Sequence, residues 1–269
     1  MLYSIHLTNK CNLRCFYCYE DERNEVEFTI SIKELDDRMK WITERGDCTD
    51  IELLGGEVFL FPDILQYIFD NYGKDYKYII TTNGTIRNDQ IDAMIQQYQP
   101  GIGVSLDYPG NVEEFRVGLN LQKALDNAHA WRKWTTVGIC CVIHPYNADK
   151  VKETFDFYVK EHGFKTIHFG IVEEWYQSER QWAQYMDEVK RLIDSVDIET
   201  LSKVTISPWT RLSKGKKEII NEDGVEKVEI FTDQPAERSP YYRAKEWCHE
   251  YLQAKLKGGT VAKDRIATG

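Results

Sequence analysis

Three cysteines lie within eight residues near the start of the chain, at Cys11, Cys15 and Cys18. Thiolates in so tight a local spacing are typical ligands of an iron–sulfur cluster. A cubane cluster has more irons than this loop has cysteines, so one iron would stay open. An open iron can bind a substrate, as a catalytic metal keeps a free coordination position.

Two other interpretations fit the same loop. His6 together with the cysteines would supply the ligands of a structural zinc site, although His6 lies inside a strand-like apolar run. A disulfide with one free thiol would suit a secreted chain. The start Met1-Leu2-Tyr3 lacks the basic and apolar regions of a secretory signal, which argues against that compartment. Spacing alone favours the cluster and leaves both alternatives open.

The pattern Cys-x3-Cys-x2-Cys, with Tyr17 directly before the last cysteine, resembles the motif of the radical S-adenosylmethionine (SAM) superfamily. The resemblance covers roughly residues 3–196. It implies that the three cysteines hold a [4Fe–4S] cluster and that SAM chelates the open iron. It further implies that a reduced cluster cleaves SAM, and that the resulting radical removes a hydrogen atom from the substrate.

The resemblance also places SAM contacts after several other strands. The segment Gly55-Gly56-Glu57 is similar to the family's glycine-rich segment, which contacts the SAM amino group, although Val58 stands where proline is common. The cofactor-binding residues that the resemblance implies are Tyr17, Gly55, Gly56, Glu57, Asn83, Ser105, Asp107 and His144. A turn is an alternative explanation for two of these residues. Asp107 begins the turn sequence Asp-Tyr-Pro-Gly, and Asn83 precedes Gly84.

Strand and helix patterns alternate along the first 196 residues, which predicts a parallel sheet with right-handed crossovers. The fold class is therefore α/β, a partial (βα)6 parallel barrel. Active sites of such barrels lie at the carboxyl ends of the strands, where the cysteine loop and the other special segments fall. The predicted strands are 2–7, 50–54, 78–82, 101–106, 136–143 and 166–172, and the predicted helices are 31–45, 62–69, 88–97, 117–134, 148–162 and 179–195.

The alternation stops after residue 196, so we predict a radical SAM barrel over 1–196 and a short α+β C-terminal extension over 197–269. The extension contains a hairpin around Glu222-Asp223-Gly224 and a helix over 241–256, and we expect it to pack on the barrel. Its one cysteine, Cys248, cannot hold a cluster alone. The sequence therefore predicts a single cluster, without the cysteine-rich extension of similar peptide-modifying enzymes.

The composition of the chain limits the kinds of partner and cellular compartment that we expect. A net charge of -10 argues against a nucleic-acid partner that is bound through a basic surface. The sequence contains no run of about 18 apolar residues, so we expect no membrane-spanning helix. The odd count of seven cysteines argues against a disulfide framework, so we expect a reducing cytoplasm.

The resemblance is closest to enzymes that modify peptides or proteins. We therefore expect hydrogen abstraction from a peptide or protein substrate, with electrons from a one-electron donor such as flavodoxin or ferredoxin. One alternative is a radical SAM enzyme that acts on a small metabolite or nucleotide. The other is a non-catalytic, zinc-stabilised α/β binding module.

Overall fold

The structure is a computed structural model of the 269-residue chain. It describes residues 2–18, 27–171, 187–188, 190–197, 199–200, 205–208, 217–222 and 225–231.

The chain forms two compact units, and the boundary between them falls inside a strand. The first unit contains Met1–Cys140 and Leu212–Gln234, and the second contains Cys141–Arg211 and Pro235–Gly269. The predicted division of the chain at residue 196 stays a prediction.

Parallel strands form the centre of the first unit. The strands of this unit are β1 (Leu2–His6), β2 (Arg14–Cys15), β3 (Asp50–Leu54), β4 (Lys77–Thr82), β5 (Gly101–Ser105), β6 (Arg116–Val117), β7 (Val137–Ile143), β10 (Lys217–Glu222) and β11 (Val225–Phe231). Neighbouring strands follow the order β10-β11-β1-β3-β4-β5-β7, and the pairs from β1 to β7 are parallel. A parallel sheet needs crossover connections, and helices supply them.

The helices of this unit begin and end at residues that satisfy the free backbone groups of a helix terminus. Ser31 and Glu34 form a reciprocal capping box at the first helix, and Gly46 ends it with φ +70°. Asn88 and Asn120 accept backbone N–H groups at two later helices. The helices are α1 (Ile32–Arg45), α2 (Pro62–Tyr72), α3 (Asp89–Tyr98), α4 (Val112–Phe115) and α5 (Leu121–Trp131), with a 3₁₀ turn at Val58–Leu60.

One face of this sheet packs against the helices. The side chain of Tyr3 meets Trp41 of α1 edge-on, with ring centroids 6.0 Å apart. Alternate strand residues point to opposite faces, so Ser4 and Glu52 lie on the other face, where the Ser4 hydroxyl donates to the Glu52 carboxylate. The first face carries buried side chains such as Tyr3, Ile51 and Leu53, whereas the second carries Ser4 and Glu52 in the middle of β1 and β3.

The second unit continues the alternation of strands and helices. It contains the last residues of β7, followed by β8 (Thr166–Ile171) and β9 (Thr205–Pro208), which pair with each other in parallel. Between β7 and β8 the chain forms a 3₁₀ turn, Ala148–Lys150, then α6 (Val151–Phe155) and a π-helical segment, Asp156–Glu161. The helix predicted over 148–162 is therefore present, with three backbone patterns along its length.

The six predicted parallel strands are all present. The helix predicted from Val117 begins instead at Leu121, because Arg116–Val117 pairs with Arg14–Cys15 as a short ribbon. The strand Thr205–Pro208 was missed, since four residues ending in proline show no clear alternation. Only residues 187–188 and 190–195 of the last predicted helix of the barrel lie among the described residues, and they are helical.

The predicted C-terminal hairpin is confirmed as a strand pair. β10 and β11 are antiparallel, with Glu222 opposite Val225. β11 also pairs antiparallel with β1, where Glu229 lies opposite Ser4. The helix predicted over 241–256 lies outside the described residues.

A membrane crossing needs about 18 or more consecutive apolar helical residues. Across the parts of the chain that the structure describes, every helix is too short or too polar for this.

The capping box at α1 gives a test of the fold. Replacing Ser31 with alanine leaves the Glu34 N–H without its acceptor, so we expect the free energy of unfolding to fall by about 1 kcal/mol. Urea denaturation followed by circular dichroism measures this. Lys33→Ala, at an exposed position in the same helical turn, should change stability by less than about 0.5 kcal/mol. Equal losses in the two variants would contradict the capping role.

Candidate active site

The cysteine loop, residues 8–18, carries the three cysteines of the motif. Cys11 lies between β1 and β2, Cys15 is the last residue of β2, and Cys18 follows β2. Their thiols are neither fully buried nor fully exposed. The backbone N–H of Leu13 donates to Cys11 Sγ at 3.4 Å, which turns the loop around the first sulfur. A cofactor at this loop could therefore contact sulfurs that the protein holds in place on one side.

The backbone of Gly55 and Gly56 lies directly against the start of the cysteine loop. Gly56 N–H donates to the carbonyl of Thr8 at 2.7 Å, and Glu57 N–H donates to that of Lys10 at 2.8 Å. A Cβ atom on Gly56 would lie 2.3 Å from the Lys10 carbonyl oxygen, and one on Gly55 would lie 2.2 Å from that of Thr8. Gly55 also has φ +154°, which other residues rarely adopt. The glycines are required for this close backbone approach.

The side chain of Glu57 is fully buried and holds two strand ends together. Its carboxylate accepts the Thr82 hydroxyl at 2.7 Å, the Asn83 backbone N–H at 2.7 Å and the Phe59 N–H at 3.0 Å. Burial raises the pKa of this carboxyl, and the hydrogen bonds from Asn83, Thr82 and Phe59 oppose the rise. Glu57 therefore acts on the site by fixing the end of β4 against the turn after β3.

Asn83 connects the end of β4 to the first cysteine. Its side-chain Nδ2 donates to the side-chain Oδ1 of Asn12 at 2.9 Å and lies 3.8 Å from Cys11 Sγ. Its own carbonyl oxygen accepts the Thr85 N–H and hydroxyl. The amide nitrogen therefore holds the cysteine loop and faces a cysteine sulfur, whereas the amide oxygen holds the turn after β4.

A buried ion pair lies beside the second cysteine. Asp107 accepts two bonds from Arg116, from Nε at 3.0 Å and from Nη2 at 3.1 Å. Nη1 of the same guanidinium lies 3.9 Å from Cys15 Sγ. The hydroxyl of Tyr17 donates to Asp107, and its ring lies under the guanidinium, 5.4 Å from centroid to Cζ. The network links the cysteine loop to the residues that follow β5.

Arg116 is a site residue that sequence reasoning missed. It reaches Cys15 because β2 pairs with β6, which places the two residues opposite each other. Each strand of this ribbon has two residues, which is too short for a periodic signal. The charged residues Glu113-Glu114 before it gave no indication of a buried cation, so no sequence signal could have found it.

Two predicted cofactor-binding residues, Ser105 and His144, lie outside this hydrogen-bond network. Ser105 is the last residue of β5 and is half-buried, opposite Cys140 of β7. His144 is fully buried in the second unit, where its backbone N–H donates to the side chain of Asn147. The structure thus brings together the cysteines, Tyr17, the Gly55–Glu57 segment, Asn83 and Asp107 in the first unit.

The donor set fits an iron–sulfur cluster. Burial raises the pKa of the Cys15 thiol to about 11, with Arg116 opposing the rise, and burial also raises the pKa of Cys11. A metal deprotonates such thiols on binding. Among the described residues, no group of three His, Cys, Asp or Glu side chains is arranged around a single metal ion.

Comparison with known families identifies the chain. The model of the radical SAM superfamily matches residues 5–158, which include the cysteine loop and all of β3, β4 and β5. The chain belongs to the radical SAM superfamily. Its cofactors are a [4Fe–4S] cluster and SAM, and it is an enzyme, which excludes the zinc-stabilised binding module.

Curated relatives differ in the activities that their names give. An uncharacterized protein of Methanocaldococcus jannaschii is 24% identical over 82% of this chain and 81% of its own length. A probable GTP 3′,8-cyclase of Methanococcus maripaludis is 26% identical over 73% of this chain and 74% of its own. The antilisterial bacteriocin subtilosin biosynthesis protein AlbA of Bacillus subtilis is 31% identical, over 39% of this chain and 23% of its own.

Solved structures share the fold. The solved structure of anSMEcpe with bound AdoMet and the Cp18Cys peptide is 20% identical over 77% of this chain and 62% of its own, with a TM-score of 0.61. Streptococcus suis SuiB, bound to the precursor peptide SuiA, is 15% identical over 77% and 48%, with a TM-score of 0.59. The matched region thus spans less than two thirds of the length of anSMEcpe and of SuiB. The α/β fold class, with its parallel sheet, is confirmed.

The close backbone approach at Gly56 gives a test of the site. A methyl group there meets only backbone atoms, which cannot move aside cheaply, so we expect Gly56→Ala to lower the free energy of unfolding by about 1–3 kcal/mol. The displaced loop should also hold less iron after anaerobic reconstitution. Urea denaturation and iron analysis measure the two effects.

Gly101→Ala is the matched control for this substitution. A Cβ at Gly101 would lie 3.7 Å from its nearest neighbour, an ordinary contact, so stability should change by less than about 0.5 kcal/mol. A Gly56→Ala protein with normal stability and normal iron content would show that the loop does not depend on this contact.

Proposed function

We propose that Cys11, Cys15 and Cys18 hold the [4Fe–4S] cluster, and that the enzyme abstracts a hydrogen atom from a peptide or protein substrate. The observation that carries the first part is the arrangement of the cysteine loop itself. N–H groups of Leu13, Asn83 and Arg116 face two of its sulfurs. Donors aimed at sulfur are the usual surroundings of cluster thiolates.

When bound, the cluster and SAM together supply a carbon-centred radical that can remove hydrogen from an unreactive C–H bond. The chain contributes the position of the site and the exclusion of water from it. Glu57, Asn83 and Asp107 are almost fully buried, so they hold the loop as a rigid support. A rigid support fixes the distance between the cofactor and the substrate atom.

We further propose that SAM is contacted by the groups that the loop network leaves open. Gly55, Gly56 and Ser105 are half-buried at the carboxyl ends of β3 and β5. Their backbone groups and the Ser105 hydroxyl can reach a ligand at this rim. Tyr17, Glu57, Asn83 and Asp107, which the motif also assigns to SAM, act mainly by positioning the loop.

A peptide or protein substrate is supported by two kinds of observation. The solved structures of similar fold include enzymes with bound peptides, and AlbA takes part in bacteriocin biosynthesis. In this chain, Glu52 lies half-buried on the face of the sheet away from the helices, where it accepts hydroxyl groups from Ser4 and Thr81. A carboxylate there suits a basic or amide-bearing side chain.

A nucleotide substrate is the second candidate. The similarity to a probable GTP 3′,8-cyclase extends over 73% of this chain, more than the similarity to AlbA. In either case the reaction needs a one-electron donor, such as flavodoxin or ferredoxin. Thiolate ligands require a reducing compartment, which supports a cytoplasmic location.

The cluster assignment predicts the effect of removing each cysteine. We expect Cys11→Ala, Cys15→Ala and Cys18→Ala each to lose most of the roughly four irons per chain and to stop producing 5′-deoxyadenosine. Iron analysis and chromatography of anaerobic SAM reactions with dithionite measure both.

Cys48→Ala is the matched control, because Cys48 is equally half-buried but lies before β3, with its thiol on the Asp50 carbonyl. This variant should keep iron and SAM cleavage. Retention of both properties in any of the three loop variants would refute the ligand assignment.

The substrate assignment predicts which compounds are changed during SAM cleavage. We expect a pool of synthetic lysine- and arginine-containing peptides to stimulate 5′-deoxyadenosine release and to change in mass, while GTP stays intact. Glu52→Gln removes the charge facing the substrate, so KM for the reactive peptide should rise about tenfold, as expected for one charged hydrogen bond. Mass spectrometry and initial rates measure these effects.

Glu44→Gln, on the exposed surface of α1, controls for the loss of one negative charge and should leave KM unchanged. Conversion of GTP without any change in the peptides would contradict the peptide assignment and favour a nucleotide substrate.

A further inference from the structure

The buried arginine beside Cys15 has no part in the chemistry described so far. Arg116 is 6% exposed and Asp107 is fully buried. Their contact is bidentate, so the pair has a fixed geometry. A fixed cation near a redox centre affects the energy of adding an electron to it.

We propose that Arg116 is a positioning residue that raises the reduction potential of the cluster through its contact with Cys15 Sγ. This inference rests on the proposed role of Cys15 as a cluster ligand. Nη1 is directed at the sulfur at 3.9 Å, while Nε and Nη2 are occupied by Asp107. The carboxylate therefore holds one edge of the guanidinium so that another edge faces the sulfur.

Hydrogen bonds to cluster sulfurs and local charge are among the main determinants of cluster potential. The reduced cluster carries one more negative charge, so an N–H donor and a cation both stabilise it more than the oxidised form. Burial strengthens the effect, because water cannot screen the guanidinium. The ring of Tyr17 covers the guanidinium, and its hydroxyl helps to hold Asp107.

The exposed Arg14 makes the comparison possible. It precedes Cys15 on the same ribbon and lies opposite Val117, so it carries the same charge at a similar place in the sequence. Its guanidinium donates to the carbonyl oxygens of Cys11 and Leu13 and to no sulfur. Because Arg14 is exposed, solvent screens its charge.

The test is an anaerobic redox titration of the reconstituted holoenzyme without SAM, followed by electron paramagnetic resonance. We expect Arg116→Gln to make one-electron reduction at least tenfold less favourable, which corresponds to a midpoint potential lower by about 59 mV. Arg14→Gln should change the equilibrium less than twofold. An unchanged potential in Arg116→Gln, or an equal shift in both variants, would overturn the proposal.

Arg116→Gln leaves Asp107 buried without its cation, which can prevent folding. The double variant Arg116→Gln/Asp107→Asn removes both charges and keeps the local net charge of the native pair. Its potential should still lie below the native value, since the contact with sulfur is gone. A native potential in the double variant, or loss of the cluster from both variants, would leave Arg116 with a purely structural role.

Cys15→Ala separates this inference from the assignment on which it rests. If that variant keeps a full cluster, Cys15 is not a ligand and the proposed site is wrong. If it loses the cluster while Arg116→Gln keeps the native potential, the ligand assignment stands and only the role of Arg116 fails.

Discussion

The site depends on a contact between two backbone segments that leaves no room for a side chain. The start of the cysteine loop lies against Gly55 and Gly56, joined by hydrogen bonds of 2.7 and 2.8 Å from Gly56 and Glu57. This contact fixes the loop relative to the end of β3. Glu57 follows directly, and its buried carboxylate fixes the end of β4 at the same point. Two strand ends and the cysteine loop therefore share one set of constraints.

The network around Asp107 adds a second attachment of a different kind. A buried ion pair is weak evidence for stability, because the loss of hydration offsets much of the attraction between the charges. Well-packed apolar residues would join the loop to β5 at similar or lower cost. The presence of Arg116 and Asp107 in a buried position is therefore better explained by what they do to Cys15 than by what they add to stability.

Local signals predicted much of the fold. The predicted helices 31–45 and 88–97 agree closely with α1 and α3, whose ends are capped by Ser31, Gly46 and Asn88. These signals work because a helix terminus is satisfied by residues close in sequence. The helix predicted from Val117 began too early, since pairing with a distant segment decided the structure there.

Residues of the candidate site could be predicted where a short sequence motif contains them. Cys11, Cys15 and Cys18 were predicted as cluster ligands from their spacing together with the resemblance to a family motif, and the order of the strands predicted their place after β1. Their role as ligands stays a prediction. Arg116 could not be found, because it is 101 residues from Cys15 in the chain and meets it only through a two-residue strand. The contacts of Glu57 were equally hidden, because a motif gives the identity of a residue but not the direction of its side chain.

The side chains of Glu57 and Asp107 bind groups of the protein itself, which changes the role we assign to the Gly55–Glu57 segment. A carboxylate that accepts three donors from the protein has little capacity left for a ligand, and Glu57 is fully buried as well. The same holds for Asp107, which is engaged by Arg116 and Tyr17. We infer that the Glu57 side chain serves the cofactor indirectly, by holding the loop in place. The two glycines leave their backbone groups at the surface of the site, where a side chain on either residue would clash with the loop.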